Sequence, residues 1–132
     1  MPAIVVAWGA AWNAEDPQRL ADLYVENGAR YTDHAFGAKD YLGRDGTIEW
    51  ANRAKEVIQG AAVMVNCASA RSGVIVIDWT FSGQVAGAPK PFSVPVVTVL
   101  QMRGHQIVTT GDYYSRAEVI RQSGFPAETT AG

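Results

Sequence analysis

Two short segments each set a carboxylic acid two residues from a phenol: Tyr31-Thr32-Asp33 and Asp112-Tyr113-Tyr114. Side chains two apart on an extended strand share a face, so each segment presents an acid and a hydroxyl together. A desolvated carboxylate disfavours its charged form, and its pKa rises toward neutrality, where it takes or gives a proton. The Tyr31 and Tyr114 hydroxyls are then placed to hold a water or a substrate carbonyl. Such a set suits proton abstraction beside a carbonyl, followed by ring closure, a double-bond shift or elimination. A plainer arrangement uses the same residues: a buried Asp112 tied to backbone amides or a tyrosine hydroxyl, and an Asp33-His34 turn at a strand end.

The remaining reactive side chains are few. His34 faces away from Asp33 by strand parity, although a bulge there brings it round, so it stays a candidate for substrate contact. His105 sits in the Arg103-Gly104-His105 turn and is expected to be exposed. Cys67 is the single cysteine; it forms no internal disulfide and no thiolate metal cluster, and it reads as a core or interface residue. No metal and no cofactor are expected.

The elements that position these groups follow from periodicity. Ile4, Val5, Trp8, Ala11 and Trp12 form one apolar helical stripe. Asp16 and Pro17 open a second short helix that buries Leu20, Leu23 and Tyr24 and stops at Gly28. A strand over 29–35 and a loop over 37–43 follow. Asp45 then caps a third helix through Ile48, Trp50, Ala51, Ala54, Val57 and Ile58 to Gly60. Stretches 61–70, 74–85, 92–102 and 106–114 are rich in Val, Ile, Thr and aromatics, with short turns between them, and are predicted as antiparallel strands. Ser115 to Glu118 has capping-box spacing, so a last helical turn runs to Gly124. Helices first and strands after give an α+β fold, the helices covering one face of a curved sheet.

Alternation assigns most inner faces. Ile75, Ile77, Trp79 and Phe81 face the helices, which leaves Asp78 outside; Phe92, Val94, Val96, Thr98, Leu100 and Met102 face inward on the next strand. Pro95 signals a bulge or an edge nearby. For 29–35 and 106–114 alternation leaves both faces open. If Asp33 and Asp112 point inward, Trp50, Trp79, Phe81, Val94 and Val96, with Trp8 or Trp12, wall them in aromatic and apolar surface suited to a flat or hydrophobic ligand. The outer face, with Val74, Val76, Thr80, Val97 and Val99, is apolar enough to predict a homodimer through it.

The chain has 132 residues, 48% of them apolar and 18% charged, which is a globular composition for one domain over 1–126 with a flexible tail at 127–132. Its 11 Lys and Arg against 13 Asp and Glu give a net charge of −2 without a basic patch, so nucleic acid is not an expected partner. No apolar run reaches the roughly 20 residues of a membrane span. The lone cysteine and the absence of a basic leader before the first helix fit a cytoplasmic location.

Trp12, Asp16 and Tyr24, the Tyr31-Thr32-Asp33 strand, Gly43-Arg44-Asp45 before a helix, Gly111-Asp112-Tyr113-Tyr114 and Arg121-Gln122-Ser123-Gly124 together resemble the nuclear transport factor 2-like superfamily. Within it the chain is most similar to the SnoaL-like polyketide cyclases, over residues 3 to 126. The resemblance implies a cone: a curved antiparallel sheet wrapped around three N-terminal helices, with a deep apolar pocket, usually in a homodimer. It also implies roles. Asp112 matches the acid/base aspartate of the polyketide cyclases and the base aspartate of limonene epoxide hydrolase. Asp33 matches the general base of ketosteroid isomerase and falls where the epoxide hydrolase has a water-binding asparagine. Tyr31 matches that enzyme's water-binding tyrosine, and Thr98 falls near the isomerase's oxyanion-stabilising aspartate.

The departures narrow the reaction. The epoxide hydrolase carries an Arg-x-Asp pair on the strand that here reads Ile77-Asp78-Trp79, and no arginine stands there. The last aspartate of the cyclases' DYYD-like motif is Ser115. The first expectation is therefore a cofactor-independent cyclase, isomerase or lyase with Asp112 as general acid/base, Asp33 and Tyr31 beside it, and Tyr114, Thr98, His34 and the aromatic walls around a hydrophobic small molecule. The alternatives are a non-catalytic module that binds an apolar small molecule or dimerises, and, third, hydrolysis of an epoxide by an activated water.

Overall fold

A computed structural model describes residues 1–37 and 39–124; the tail expected at 127–132 lies outside the described residues. Helices α1 (Ala3–Asn13) and α2 (Gln18–Ala21) come first, followed by strands β1 (Arg30–Asp33) and β2 (Tyr41–Leu42) and helix α3 (Gly43–Val57). Strands β3 (Ile58–Arg71), β4 (Val74–Val85), β5 (Phe92–Arg103) and β6 (Gln106–Tyr113) make up most of the sheet, and α4 (Arg116–Ser123) closes the described chain. The six strands lie in the order β2-β1-β6-β5-β4-β3. The α+β class, with helices against one face of a curved sheet, is as the sequence predicts.

The sheet is mixed and not wholly antiparallel, because β1 pairs with β6 in parallel. The hairpins that force antiparallel pairing join only β3 to β6 in succession. Between β1 and β6 run α3 and four strands, so no tight turn fixes their relative direction. Two other boundaries differ from expectation. Tyr41 and Leu42, inside the predicted loop, pair antiparallel with β1. Helix α3 begins at Gly43 without a side-chain cap and ends at Val57, where the β-branched Val57-Ile58 pair passes directly into β3.

The helices are held by specific contacts. Val5 and Trp8 of α1 are fully buried on the sheet, and Asn13 at its end pairs reciprocally with the Val63 backbone of β3, donating at 2.8 Å and accepting at 2.9 Å. Arg44 donates to the Tyr24 carbonyl at 3.0 and 2.8 Å, which ties the start of α3 to the segment after α2. Gly46 lets α3 approach β2 closely, since a Cβ there would stand 2.8 Å from the Tyr41 carbonyl carbon. Of the three predicted caps, Ser115 is the N-cap of α4 and accepts from the Glu118 amide at 3.0 Å. Asp16, one residue before the Pro17 N-cap of α2, accepts from the Gln18 amide at 2.9 Å. Asp45 lies inside the first turn of α3 and does not cap it.

Pro95 is tolerated in a central strand for a local reason. Strand β6 pairs with β5 only from Val97 onward, so no ladder donor is needed on that side of Pro95. The inner faces of β4 and β5 are those read from alternation: Ile77, Val94, Val96, Thr98 and Leu100 are buried, and Asp78 is exposed. Among the described residues no helix is long and apolar enough to cross a membrane.

Candidate active site

Parallel pairing of β1 and β6 sets Asp33 directly beside Asp112 and Tyr31 beside Thr110. Antiparallel pairing of β5 and β6 sets Thr98 on the other side of Asp112. All five side chains are buried on the face toward the helices. This resolves the two strands whose alternation left both faces open.

Asp112 accepts from the Tyr31 hydroxyl at Oδ2, 2.5 Å, and from the Thr98 hydroxyl at Oδ1, 2.6 Å. The Trp79 indole donates to Thr98 Oγ1 at 2.7 Å. Asp33 accepts at Oδ1 from the amides of Ala35 and Phe36, at 2.8 and 3.0 Å, and at Oδ2 from the Tyr114 hydroxyl at 2.7 Å. The turn foreseen at Asp33-His34 therefore forms, and it anchors the carboxylate instead of exposing it. Gly37 completes that turn by donating to the Asp33 carbonyl at 3.0 Å, where a Cβ would stand 2.2 Å from the same oxygen.

Burial pushes the Asp112 carboxyl up to about 7; the Thr98 and Tyr31 hydrogen bonds oppose that rise, and repulsion from Asp33 adds to it. Burial, then the neighbouring carboxylates, also raise Tyr31 and Tyr114 well above the ordinary phenol range, so both keep their protons and act as donors at neutral pH. The ion pairs among the described residues are Lys39–Glu49 and Arg121–Glu118, so no cation neutralises either aspartate. Among the described residues, no three His, Cys, Asp or Glu side chains gather as a metal site would require.

The surroundings are aromatic. Trp8 lies edge-on to Trp79 at 5.3 Å, Trp12 edge-on to Tyr31 at 6.1 Å, and Trp50 tilts against Tyr31 at 6.1 Å. Phe81 contacts Trp79 at 5.7 Å and Tyr114 at 6.4 Å. These rings pack against one another edge-on or tilted beside the acids. Two grooves of about 620 and 360 Å³ run along α1, and neither is lined by Asp33 or Asp112. Trp12, Trp50, Phe81 and Tyr114 are only partly buried.

Of the residues singled out from sequence, Asp33, Asp112, Tyr31, Tyr114, Thr98 and Trp79 come together as two adjacent hydrogen-bonded sets, Trp79–Thr98–Asp112–Tyr31 and Tyr114–Asp33. Trp50 and Phe81 flank it, and Val94 and Val96 pack in the core on the inner face of β5. His34 is not brought in. It is exposed and stacks on Tyr113 at 4.2 Å on the outer face, over Gly111, where a Cβ would meet the Tyr113 ring at 3.2 Å. Parity, without a bulge, decides its side. Two neighbours of the site went unmarked. Tyr24 shares a 2.5 Å hydrogen bond with Thr110, although its sequence signal was only that of an apolar helix face. Phe36 covers Tyr114 at 6.0 Å with the Arg116 guanidinium 5.1 Å from its ring, and nothing in the sequence marks a loop phenylalanine for that place.

A family model described as a SnoaL-like domain matches residues 5–110. A Catenulispora acidiphila protein with a ketosteroid isomerase-like fold, solved in complex with trimethylamine, is 38% identical, with a TM-score of 0.92 and 97% of each chain covered. Two proteins named for the SnoaL-like polyketide cyclases share the fold. The one from Jannaschia sp. CCS1 is 14% identical with a TM-score of 0.80, covering 93% of this chain and 90% of that one. The one from Shewanella putrefaciens CN-32 is 16% identical with a TM-score of 0.78, covering 92% and 96%. No curated protein matches the sequence.

Proposed function

Because this chain belongs to the SnoaL-like domain family, we propose that it is a small-molecule enzyme in which Asp112 is the general acid/base for a hydrophobic, carbonyl-containing substrate. The observation that carries this reading is a carboxyl without a countercharge, pushed up to about 7 by burial, within hydrogen-bond reach of a phenol that stays protonated. A base of that strength removes a proton beside a carbonyl at neutral pH, and general acid/base catalysis of this kind contributes about 10² to 10⁴-fold. The Tyr31 and Tyr114 hydroxyls supply donors for the oxygen that gains charge. Asp112 then returns the proton at another carbon, or the enolate carbon attacks a second carbonyl of the same substrate. The C=O π bond of that carbonyl opens, and its oxygen takes the proton back from Asp112 as the ring closes. The substrate reaches the acids past the partly buried rings of Trp12, Trp50, Phe81 and Tyr114. Epoxide hydrolysis ranks last, since Ile77 occupies the inner position and Asp78 lies on the outer face.

The test is wash-in of solvent deuterium beside the carbonyl of a panel of cyclic ketones and β-diketones, with and without the protein. Catalysed exchange that falls by about 10²-fold or more in Asp112→Asn, with the fold intact, is the expected result. Undiminished exchange in that variant would remove Asp112 from the mechanism.

A second, non-catalytic reading draws on the trimethylamine held by the Catenulispora acidiphila relative. Two adjacent buried carboxylates walled by indoles and phenols suit a compact alkylammonium, its N–H⁺ on a carboxylate oxygen and its methyl groups on ring faces. Calorimetry with trimethylammonium chloride tests it. Binding that exceeds that of tetramethylammonium and is lost in Asp112→Asn supports it; no heat of binding at millimolar concentration dismisses it.

A further inference from the structure

The two oxygens of Asp112 are held differently. At Oδ1 the donor is Thr98, whose own oxygen receives the Trp79 indole N–H at 2.7 Å. An indole nitrogen only donates, so the sequence Trp79 to Thr98 to Asp112 cannot run in reverse. Thr98 is fully buried and Trp79 nearly so, and among the described residues the Thr98 hydroxyl has no other acceptor. Its single proton is therefore committed to Oδ1. At Oδ2 the donor is Tyr31, whose oxygen receives no hydrogen bond from behind among the described residues and is free to change from donor to acceptor.

We infer that Trp79 is a positioning residue which, acting through Thr98, fixes Oδ1 of Asp112 as a standing acceptor and leaves Oδ2, the oxygen facing Tyr31, as the one that takes and gives the proton. This rests on the reading of Asp112 as the acid/base. The titratable groups around Asp112 are Tyr31 and Asp33 on β1, Tyr114 after β6, and Tyr24 beyond Thr110; none is cationic, so the polarity of the Trp79–Thr98 chain is not masked by an ion pair. Trp79 is held for this by Trp8 and by Phe81 at 5.7 Å. The indole nitrogens of Trp8 and Trp12, in contrast, are buried without a hydrogen-bond partner.

The experiment follows the Asp112 carboxyl carbon and the indole N–H signals by NMR across pH, on the whole chain. Thr98→Val removes the donor and raises the Asp112 midpoint by about one pH unit. Trp79→Phe keeps the threonine but frees its hydroxyl, and shifts the midpoint the same way by less. Thr98→Ser restores the donor and stays near the unsubstituted protein. In the unsubstituted protein the Trp79 indole signal moves with the Asp112 midpoint, and those of Trp8 and Trp12 do not. A Trp79→Phe midpoint that stays in place overturns the inference, as does a Thr98→Ser shift as large as that of Thr98→Val. Should Trp79→Phe fail to fold, a Trp79 signal indifferent to Asp112 overturns it equally. The carboxyl is read directly, so loss of the catalytic reading through an active Asp112→Asn protein is a separate outcome.

Discussion

Asp33 and Asp112 stand side by side on parallel strands, and each accepts from a tyrosine of the other's segment: Tyr31 of β1 bonds Asp112 at 2.5 Å, and Tyr114, the residue after β6, bonds Asp33 at 2.7 Å. The crossing follows from register. Tyr31 precedes Asp33 by two residues and Tyr114 follows Asp112 by two, so each phenol lies diagonal to the opposite acid, within reach of a long side chain. Like charges this close are costly, and two phenol donors spread over the pair lower that cost without bringing in a cation. Removing one donor is therefore expected to act on one acid more than on the other.

Tyr31→Phe takes the donor from Oδ2 of Asp112. The Asp112 midpoint should rise above about 7, because that hydrogen bond favours the charged form. Tyr114→Phe acts on Asp33, whose two backbone donors remain. Each variant should lose about 1–3 kcal/mol of stability to urea, since a buried acceptor is left short of a partner. Carboxyl carbon titration distinguishes the two: a larger Asp112 shift in Tyr114→Phe than in Tyr31→Phe would contradict the crossed assignment.

His34→Ala should leave the Asp112 midpoint where it is and change stability by less than about 0.5 kcal/mol, as for other surface positions. The imidazole stacks on Tyr113 outside the sheet, with the strand between it and the acids. A shifted Asp112 titration in this variant would mean that His34 reaches the inner face.

Much of this was legible in the sequence because alternation is unambiguous where one face is strongly apolar. Ile77, Trp79, Val94 and Val96 declared their side, and Asp78 went outside with them decided. On β6 the alternation fails, since Thr109 and Thr110 put the same residue type on both faces; the resemblance to the cyclases, not periodicity, turned Asp112 inward. The parallel pairing of β1 with β6 left no local trace, because no turn joins them. The crossed phenols depend on that pairing and were hidden with it.

The outer face leads to a prediction about assembly. Val74, Val76, Val97 and Tyr113 are each more than a third exposed on neighbouring strands β4, β5 and β6. A second copy of this face would cover them, and a twofold dimer is the expected arrangement. Sedimentation at micromolar concentration should give the mass of a dimer, and Val97→Lys, which sets a charge in the centre of the patch, should shift the protein toward monomer. A monomer in the unsubstituted protein would show that this apolar face is left to solvent.

The raised Asp112 carboxyl also makes stability depend on pH in an unusual direction. In the unfolded chain the group titrates near its ordinary value of 3.8, and in the folded protein near about 7. Between those values the folded state holds a proton that the unfolded state has released, so raising the pH favours unfolding. The stability that the protonated form contributes is complete below about 4, falls through the window to about 7, and is gone above it. One proton limits the slope to about 1.4 kcal/mol per pH unit, so the total loss amounts to a few kcal/mol at most. Other groups titrate in the same range, and Asp112→Asn separates them: the amide does not ionise, so the difference between the two proteins isolates the carboxyl. Urea unfolding at pH 4.5, 6 and 8 should show Asp112→Asn gaining relative to the unsubstituted protein as the pH rises. A difference that stays constant from pH 4.5 to 8 would mean that Asp112 titrates at its ordinary value, and the proton chemistry proposed for neutral pH would have no base.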